Sequence, residues 1–313
     1  MNSPSQTHAV VVGGGNMGAD VAVVLLRAQC RTTIVEPDAS RHANIAGRIN
    51  ASLAHLDCAQ NKRYATIVSS LEDADWAAAR LVIECIPEQL DLKQKLFGKL
   101  VDLSTPDTVL CSNSSSYPIS QIAQGLPTQN RMLGLHFFMP AHIIPLVEVV
   151  LGPDTDASLG DALAAFMRRC GSVPVLVKKD VPGFLANRLQ HALAREAYAL
   201  IEQGIASPED IDAAVRFGFG FRYLAAGPVL QRDHGGLDVH CAAARTMYPT
   251  LCNADSPASI LAERADAGKT GMKAGEGFYK WTPESIEAER KRYDALLRAG
   301  LELLAAELPE IKP

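Results

Sequence analysis

The stretch His8 to Glu36, HAVVVGGGNMGADVAVVLLRAQCRTTIVE, constrains the fold of this chain more than any other. Its β-branched run Val10, Val11 and Val12 predicts a buried strand. Gly13, Gly15 and Gly18 follow at G-x-G-x-x-G spacing, an Ala-rich apolar segment to Ala28 predicts a helix, and Thr32 to Val35 predict a second strand. Each part has a job if a dinucleotide binds. Gly13 permits the tight turn, Gly15 lets the backbone approach a pyrophosphate, and Gly18 lets helix and strand pack closely. The free N–H groups around Asn16 and Met17 would face the phosphates at the positive end of the helix dipole. Glu36, 18 residues after Gly18, stands where a carboxylate accepts from an adenine-ribose 2′-hydroxyl and repels a 2′-phosphate, which favours NAD over NADP. A glycine triplet alone also occurs in ordinary tight turns; its setting between two strands is what points to a nucleotide.

Further along, helical spacing recurs over Pro37–Asp57 through Ile45, Ile49, Leu53 and Leu56, and again over Gln89–Leu103. Strands are predicted at Ala65–Val68, Arg80–Cys85, Thr108–Ser112, Met132–Phe138, Leu146–Leu151 and Val173–Lys178, with a helix near Asp161–Cys170. Strands alternating with helices predict a Rossmann-type, doubly wound α/β sheet over residues 1–183. After Pro182 the pattern turns helical: Gly183–Gln203 is one run with Leu185, Leu189, Leu193 and Leu200 on a face, and Ser207-Pro208-Glu209-Asp210 starts another helix. Residues 284–307 form a last amphipathic helix, so an all-α C-terminal domain is expected over 184–313.

Composition narrows the class. A chain of 313 residues with 48% hydrophobic and 21% charged residues can bury a large core. The net charge of −5, with no basic stripe, argues against a nucleic-acid partner. Seven scattered cysteines without a C-x-x-C pair suggest reduced thiols rather than a disulfide frame or zinc site. The start, MNSPSQTH, lacks the basic and apolar regions of an export signal, and no apolar run is long enough for a membrane span. A cytoplasmic protein without a membrane or metal is the expectation. His234 reads as a turn cap, and His42, His55 and His142 lack ligand spacing.

Oxidation of an alcohol needs a base beside the nicotinamide. His136, at the C-terminal end of a predicted strand, stands where catalytic groups gather in such sheets, and its ordinary pKa of about 6.5 suits the task. Glu148 sits inside the apolar run LVEVV, and an acid there is costly unless paired, which argues that it faces His136. A structural histidine and an edge-strand acid are the plain alternative. Ser115, in the SNSSS tract after a strand, could bond a substrate oxygen or simply cap a turn, and Asn187 could bond substrate or cap the long helix.

The ordered motifs GGGNMG, VIECIPE, SNSSS, GLHFFMP…PLVEVV, DVPGFLANRL and KAGEGFY resemble the L-3-hydroxyacyl-CoA dehydrogenases over residues 8–281. The resemblance implies an NAD domain joined to a helical dimerisation domain, hence a homodimer, with the active site in the cleft and a small acyl molecule as substrate. Carried over by position, His136 is the general base, Glu148 orients it, and Ser115 and Asn187 bond the reacting oxygen. Glu88, Lys93 and Lys273 then match cofactor contacts. Met139 stands where the family has asparagine, and a thioether cannot replace an amide's hydrogen bonds. The family's lysine-rich helical hairpin for CoA is shortened over Pro37 to Thr66; Ser52 fits a CoA contact, but the matching lysine position is Ala59, with Lys62 and Arg63 nearby. Arg222 replaces a usual proline, as in relatives acting on free hydroxy acids such as gulonate and carnitine dehydrogenases, and its fork suits a carboxylate. It could equally pack on Tyr223. A 3-hydroxyacyl-CoA dehydrogenase is the leading expectation, a dehydrogenase of a small free 3-hydroxy acid the alternative, and a non-catalytic NAD-binding protein the third reading.

Overall fold

The computed structural model describes residues 1–313. Eight strands form one sheet in the order β3-β2-β1-β4-β5-β6-β7-β8. They are β1 (His8–Val12), β2 (Arg31–Val35), β3 (Ala65–Val68), β4 (Ala79–Glu84), β5 (Val109–Ser112), β6 (Met132–Phe137), β7 (Leu146–Leu151) and β8 (Val173–Val177). Pairing is parallel throughout except for β6 with β7, which run antiparallel. Helices α1 (Asn16–Arg27), α2 (His42–His55), α3 (Leu90–Leu103), α4 (Ile119–Ile122) and α5 (Ala157–Arg169) connect the strands. All five residues of β1 are buried, as a central strand covered on both faces must be. Val11 and Ala9 pack with the apolar side of α1 and with Ile45, Ile49 and Leu53 of α2. Val10 and Val12 pack with Phe97 and Leu100 of α3 on the other side. This is the Rossmann-like arrangement expected from the alternating pattern.

The chain divides into two compact units, Met1–Asn187 with Ala305–Pro313, and Arg188–Leu304. The end of the chain belongs with the sheet: Lys312 donates its backbone N–H to Arg169 at 2.9 Å. The second unit is helical, holding most of α6 (Ala186–Glu202), shorter helices at Pro208–Ala214, Leu237–Met247 and Ser259–Asp266, and a final helix at Pro283–Leu303. No helix is long and apolar enough to cross a membrane.

The long helix begins at Ala186, not Gly183 as the periodicity suggests. Gly183 and Phe184 both take left-handed backbone, with φ of 75° and 49°, which ends any helical continuity before Leu185. Phe184 is drawn into the interior, with its ring centroid 5.5 Å from that of His136, and the turn that achieves this delays the helix.

Candidate active site

The glycine turn has the shape that a dinucleotide requires. Gly13 holds φ at 104°, and a Cβ there would stand 2.7 Å from the Cys85 carbonyl oxygen. A Cβ on Gly18 would fall 1.8 Å from the Gly13 carbonyl oxygen, so strand and helix touch backbone to backbone. At Gly15, the N-cap of α1, a Cβ would meet nothing within 4 Å. That open space above the first N–H groups of a 12-residue helix is where a phosphate can approach. The turn Gly13, Gly15 and Gly18, with Asn16 and Met17 opening α1, therefore leaves room for the pyrophosphate of NAD. Glu36 is buried; its Oε2 accepts from the Gly14 N–H and from Arg41 Nη1, each at 3.1 Å, and its Oε1 accepts from the Asp38 N–H.

The antiparallel pairing of β6 with β7 places His136 directly opposite Glu148. Facing residues of an antiparallel pair project from the same side of the sheet with neighbouring Cβ atoms. His136 Nδ1 lies 2.8 Å from Glu148 Oε2, and both side chains are sealed from solvent. The other carboxylate oxygen, Oε1, accepts the N–H groups of Leu185 at 3.0 Å and Ala186 at 2.8 Å. One acid thus holds the imidazole and the start of α6 together. Burial pushes the Glu148 carboxyl up, but the His136 contact and these two N–H groups more than offset it and hold its pKa below the usual carboxylate range.

His136 Nε2 meets Ser115 Oγ at 2.9 Å. The serine is set by a network that converges on its turn. Glu88 Oε1 accepts from Ser114 Oγ at 2.6 Å and from the N–H groups of Ser115 and Ser116 at 3.2 and 2.9 Å. Glu84, with no solvent exposure, accepts from Ser112 Oγ at 2.6 Å and from the Ile86 N–H at 2.7 Å. Lys93 bridges the two acids, its Nζ 2.7 Å from Glu84 Oε1 and 3.1 Å from Glu88 Oε2. Asn113 Oδ1 takes the Phe137 N–H at 2.8 Å and ties the ends of β5 and β6. Burial raises the Glu88 carboxyl, while Ser114, the Lys93 charge and the Ser116 N–H bring it below the usual range.

His136, Glu148, Ser115 and the residues leading into Asn187 are therefore brought together. Asn187 itself is half-buried, and its amide makes no hydrogen bond within the protein. Lys93, expected at the cofactor, is closed off from solvent and spends its ammonium on two carboxylates. Ser52, expected at CoA, is a buried residue of α2. Met139 is 57% exposed. Lys273 and Arg222 are exposed residues of the helical unit, neither with a hydrogen-bonding partner on its side chain. Glu84 carries no role in the sequence reading, although it sits in the apolar run RLVIEC and bears the same sign, a buried acid, that singled out Glu148. Asp20, in the apolar stretch of α1, bears it too.

Carboxylates with lowered pKa values stabilise the fold above their ordinary titration range near 4.3 and lose that contribution as pH falls through the lower folded value. The gap in Tm between wild type and Glu148→Gln is therefore expected to be widest near neutrality and to narrow in acid. Melting curves between about pH 7 and pH 3 test this; a gap that widens in acid contradicts the assignment.

Residues 8–181 match the NAD-binding domain of 3-hydroxyacyl-CoA dehydrogenase, and residues 183–281 match its C-terminal domain. A relative from Mesorhizobium japonicum, 5-formyl-3-hydroxy-2-methylpyridine 4-carboxylate 5-dehydrogenase, is 37% identical over 72% of this chain and 74% of its own. The human mitochondrial hydroxyacyl-coenzyme A dehydrogenase is 34% identical over 88% of this chain and 91% of its own. Among solved structures, that of a 5-formyl-3-hydroxy-2-methylpyridine 4-carboxylic acid 5-dehydrogenase, described as an NAD+-dependent dismutase, superposes with a TM-score of 0.89 at 31% identity, covering 95% of this chain and 98% of that one.

Proposed function

The chain belongs to the 3-hydroxyacyl-CoA dehydrogenase family and is an NAD-dependent dehydrogenase of hydroxyl groups, and from that premise we propose that its substrate is a small free carboxylic acid, oxidised through His136 and Glu148. When bound, NAD accepts the hydride. His136 Nε2 takes the hydroxyl proton, and Glu148, across the 2.8 Å contact at Nδ1, stabilises the imidazolium that forms. The Ser115 hydroxyl, 2.9 Å from Nε2, and the Asn187 amide donate to the reacting oxygen, with bonds that strengthen as charge develops on it. A protein that only binds NAD has no use for a buried imidazole, carboxylate and hydroxyl in one line.

The single observation that carries the free-acid reading is the segment between β2 and β3. It holds one 14-residue helix, α2, and two short 3-10 stretches, Ala39–Arg41 and Ala59–Tyr64, rather than a pair of helices for CoA. Ser52 is buried, and Arg63 is engaged with the Tyr64 ring and hydroxyl. The likeness to a dehydrogenase of a free pyridine carboxylate supports the same reading. Arg222, exposed and without a protein partner, is the candidate cation for the carboxylate.

Initial rates with NAD separate the two substrate classes. Free hydroxy or formyl acids, aromatic and aliphatic, are expected to show kcat/KM at least about tenfold above that of 3-hydroxybutyryl-CoA. Arg222→Leu is expected to raise KM for the acids about tenfold while leaving NADH affinity unchanged. Turnover confined to the thioester would return the chain to the CoA-dependent reading.

A further inference from the structure

Asp20 lies on α1 with no solvent exposure. A buried carboxylate needs partners, and Asp20 finds them on two other segments. Its Oδ1 takes Arg48 Nε at 2.9 Å and Nη2 at 2.7 Å, from α2. His142 Nδ1, from the segment joining β6 to β7, lies 3.3 Å from the same oxygen. Arg48 thus arrives fixed in direction, with its Nη1 unengaged by the protein and its side chain 38% exposed.

What Arg48 faces gives the fixation a purpose. A cavity between α1 and α2 is lined by Gly14, Gly15 and Asn16 of the glycine turn and by Arg41, Asn44 and Arg48. Two carboxylates stand behind these groups, Asp20 under Arg48 and Glu36 under Arg41, so the cluster is close to neutral in sum. Its exposure is unequal, however. The Asp20 and Glu36 side chains are 0% and 7% exposed, whereas Arg48 and Arg41 are 38% and 50% exposed. The surface offered to a ligand is therefore cationic, and on its other side are the N–H groups of the α1 N-terminus. A helix end with two guanidiniums beside it selects a phosphate more strongly than the backbone alone.

We propose that Arg48, aimed by Asp20 and flanked by Arg41, is a side-chain ligand of the cofactor's pyrophosphate. Backbone N–H groups of the glycine turn and the Arg48 guanidinium then share the two phosphates, and Asp20 is the positioning residue that keeps the guanidinium in place. The proposal rests on NAD being the cofactor and is independent of which substrate the enzyme oxidises.

Calorimetric titration of the intact protein with NADH, ADP and adenosine tests it. Arg48→Gln is expected to weaken NADH and ADP binding about tenfold and to leave adenosine binding unchanged, because adenosine has no phosphate to lose. This variant also strands the Asp20 charge, so the double variant Asp20→Asn with Arg48→Gln is measured beside it. The double variant is expected to regain the wild-type Tm while NADH and ADP remain weakly bound. Recovery of wild-type ADP affinity in the double variant would reduce Arg48 to a counterion for Asp20 and overturn the proposal. Equal weakening of adenosine and ADP would overturn it as well, since the loss would then lie in the shape of the site rather than in a phosphate contact.

Discussion

Replacing His136 by alanine is expected to lower kcat about a thousandfold, within the range that general-base catalysis supplies, while NADH binds as before. The two effects separate because His136 stands on β6, whereas the glycine turn that receives the cofactor lies between β1 and α1. The variant should fold. Glu148 loses the imidazole but keeps the N–H groups of Leu185 and Ala186 on its other oxygen, so no carboxylate is left wholly unpaired. The loss should fall on kcat rather than KM, since proton removal belongs to the transition state. Glu148→Gln is expected to act in the same direction by a smaller factor, because an amide still holds the ring but cannot stabilise its positive charge. Stopped-flow hydride transfer and NADH fluorescence read the two quantities apart. A loss of less than about tenfold in His136→Ala would remove the imidazole from the role of base.

The second large effect concerns stability. Lys93→Met is expected to cost about 3–5 kcal/mol, as removing one member of a buried ion pair does. Glu84 has no solvent exposure, and Lys93 is the only cation bonded to it; Ser112 Oγ and the Ile86 N–H would remain but carry no full charge. Glu88, partly exposed, would recover through water what it loses from the lysine. A fall in Tm on the order of 10 °C should follow. The double variant Glu84→Gln with Lys93→Met should regain much of it, since a neutral amide tolerates burial beside a thioether far better than a carboxylate does. Activity should drop further than stability in the single variant, because both acids bridged by Lys93 bond the Ser112–Ser116 turn that presents Ser115 to His136. A single variant within about 1 kcal/mol of wild type would show that the pair contributes little to folding.

Glu84 and Asp20 show where sequence reasoning stopped short. Both are acids inside apolar runs, and that sign is readable without coordinates. It announces a partner but does not name one. For Glu148 a histidine near the end of a neighbouring predicted strand supplies a candidate, and the register of β6 on β7 sets the two residues opposite each other. For Glu84 the partner is Lys93, which reaches back from the first turn of α3, and for Asp20 the partners are Arg48 and His142, 28 and 122 residues away. No periodicity connects such positions. The start of α6 has the same cause: the apolar spacing continues through Leu185, while Phe184 turns inward to the imidazole and breaks the helix there.

The alternation of strands and helices, the glycine turn with its acid at Glu36, and the change to helices after Pro182 are legible in the residues alone. These follow from backbone sterics, side-chain periodicity and turn chemistry, which act over a few residues and are written locally. Packing across the fold settles which charges share a hydrogen bond: the bridge of Lys93 between two glutamates, and the grip of Asp20 on Arg48. Those choices depend on what lies across a buried surface, where an unpaired charge is too costly to persist and the partner is whichever element the fold has packed against it.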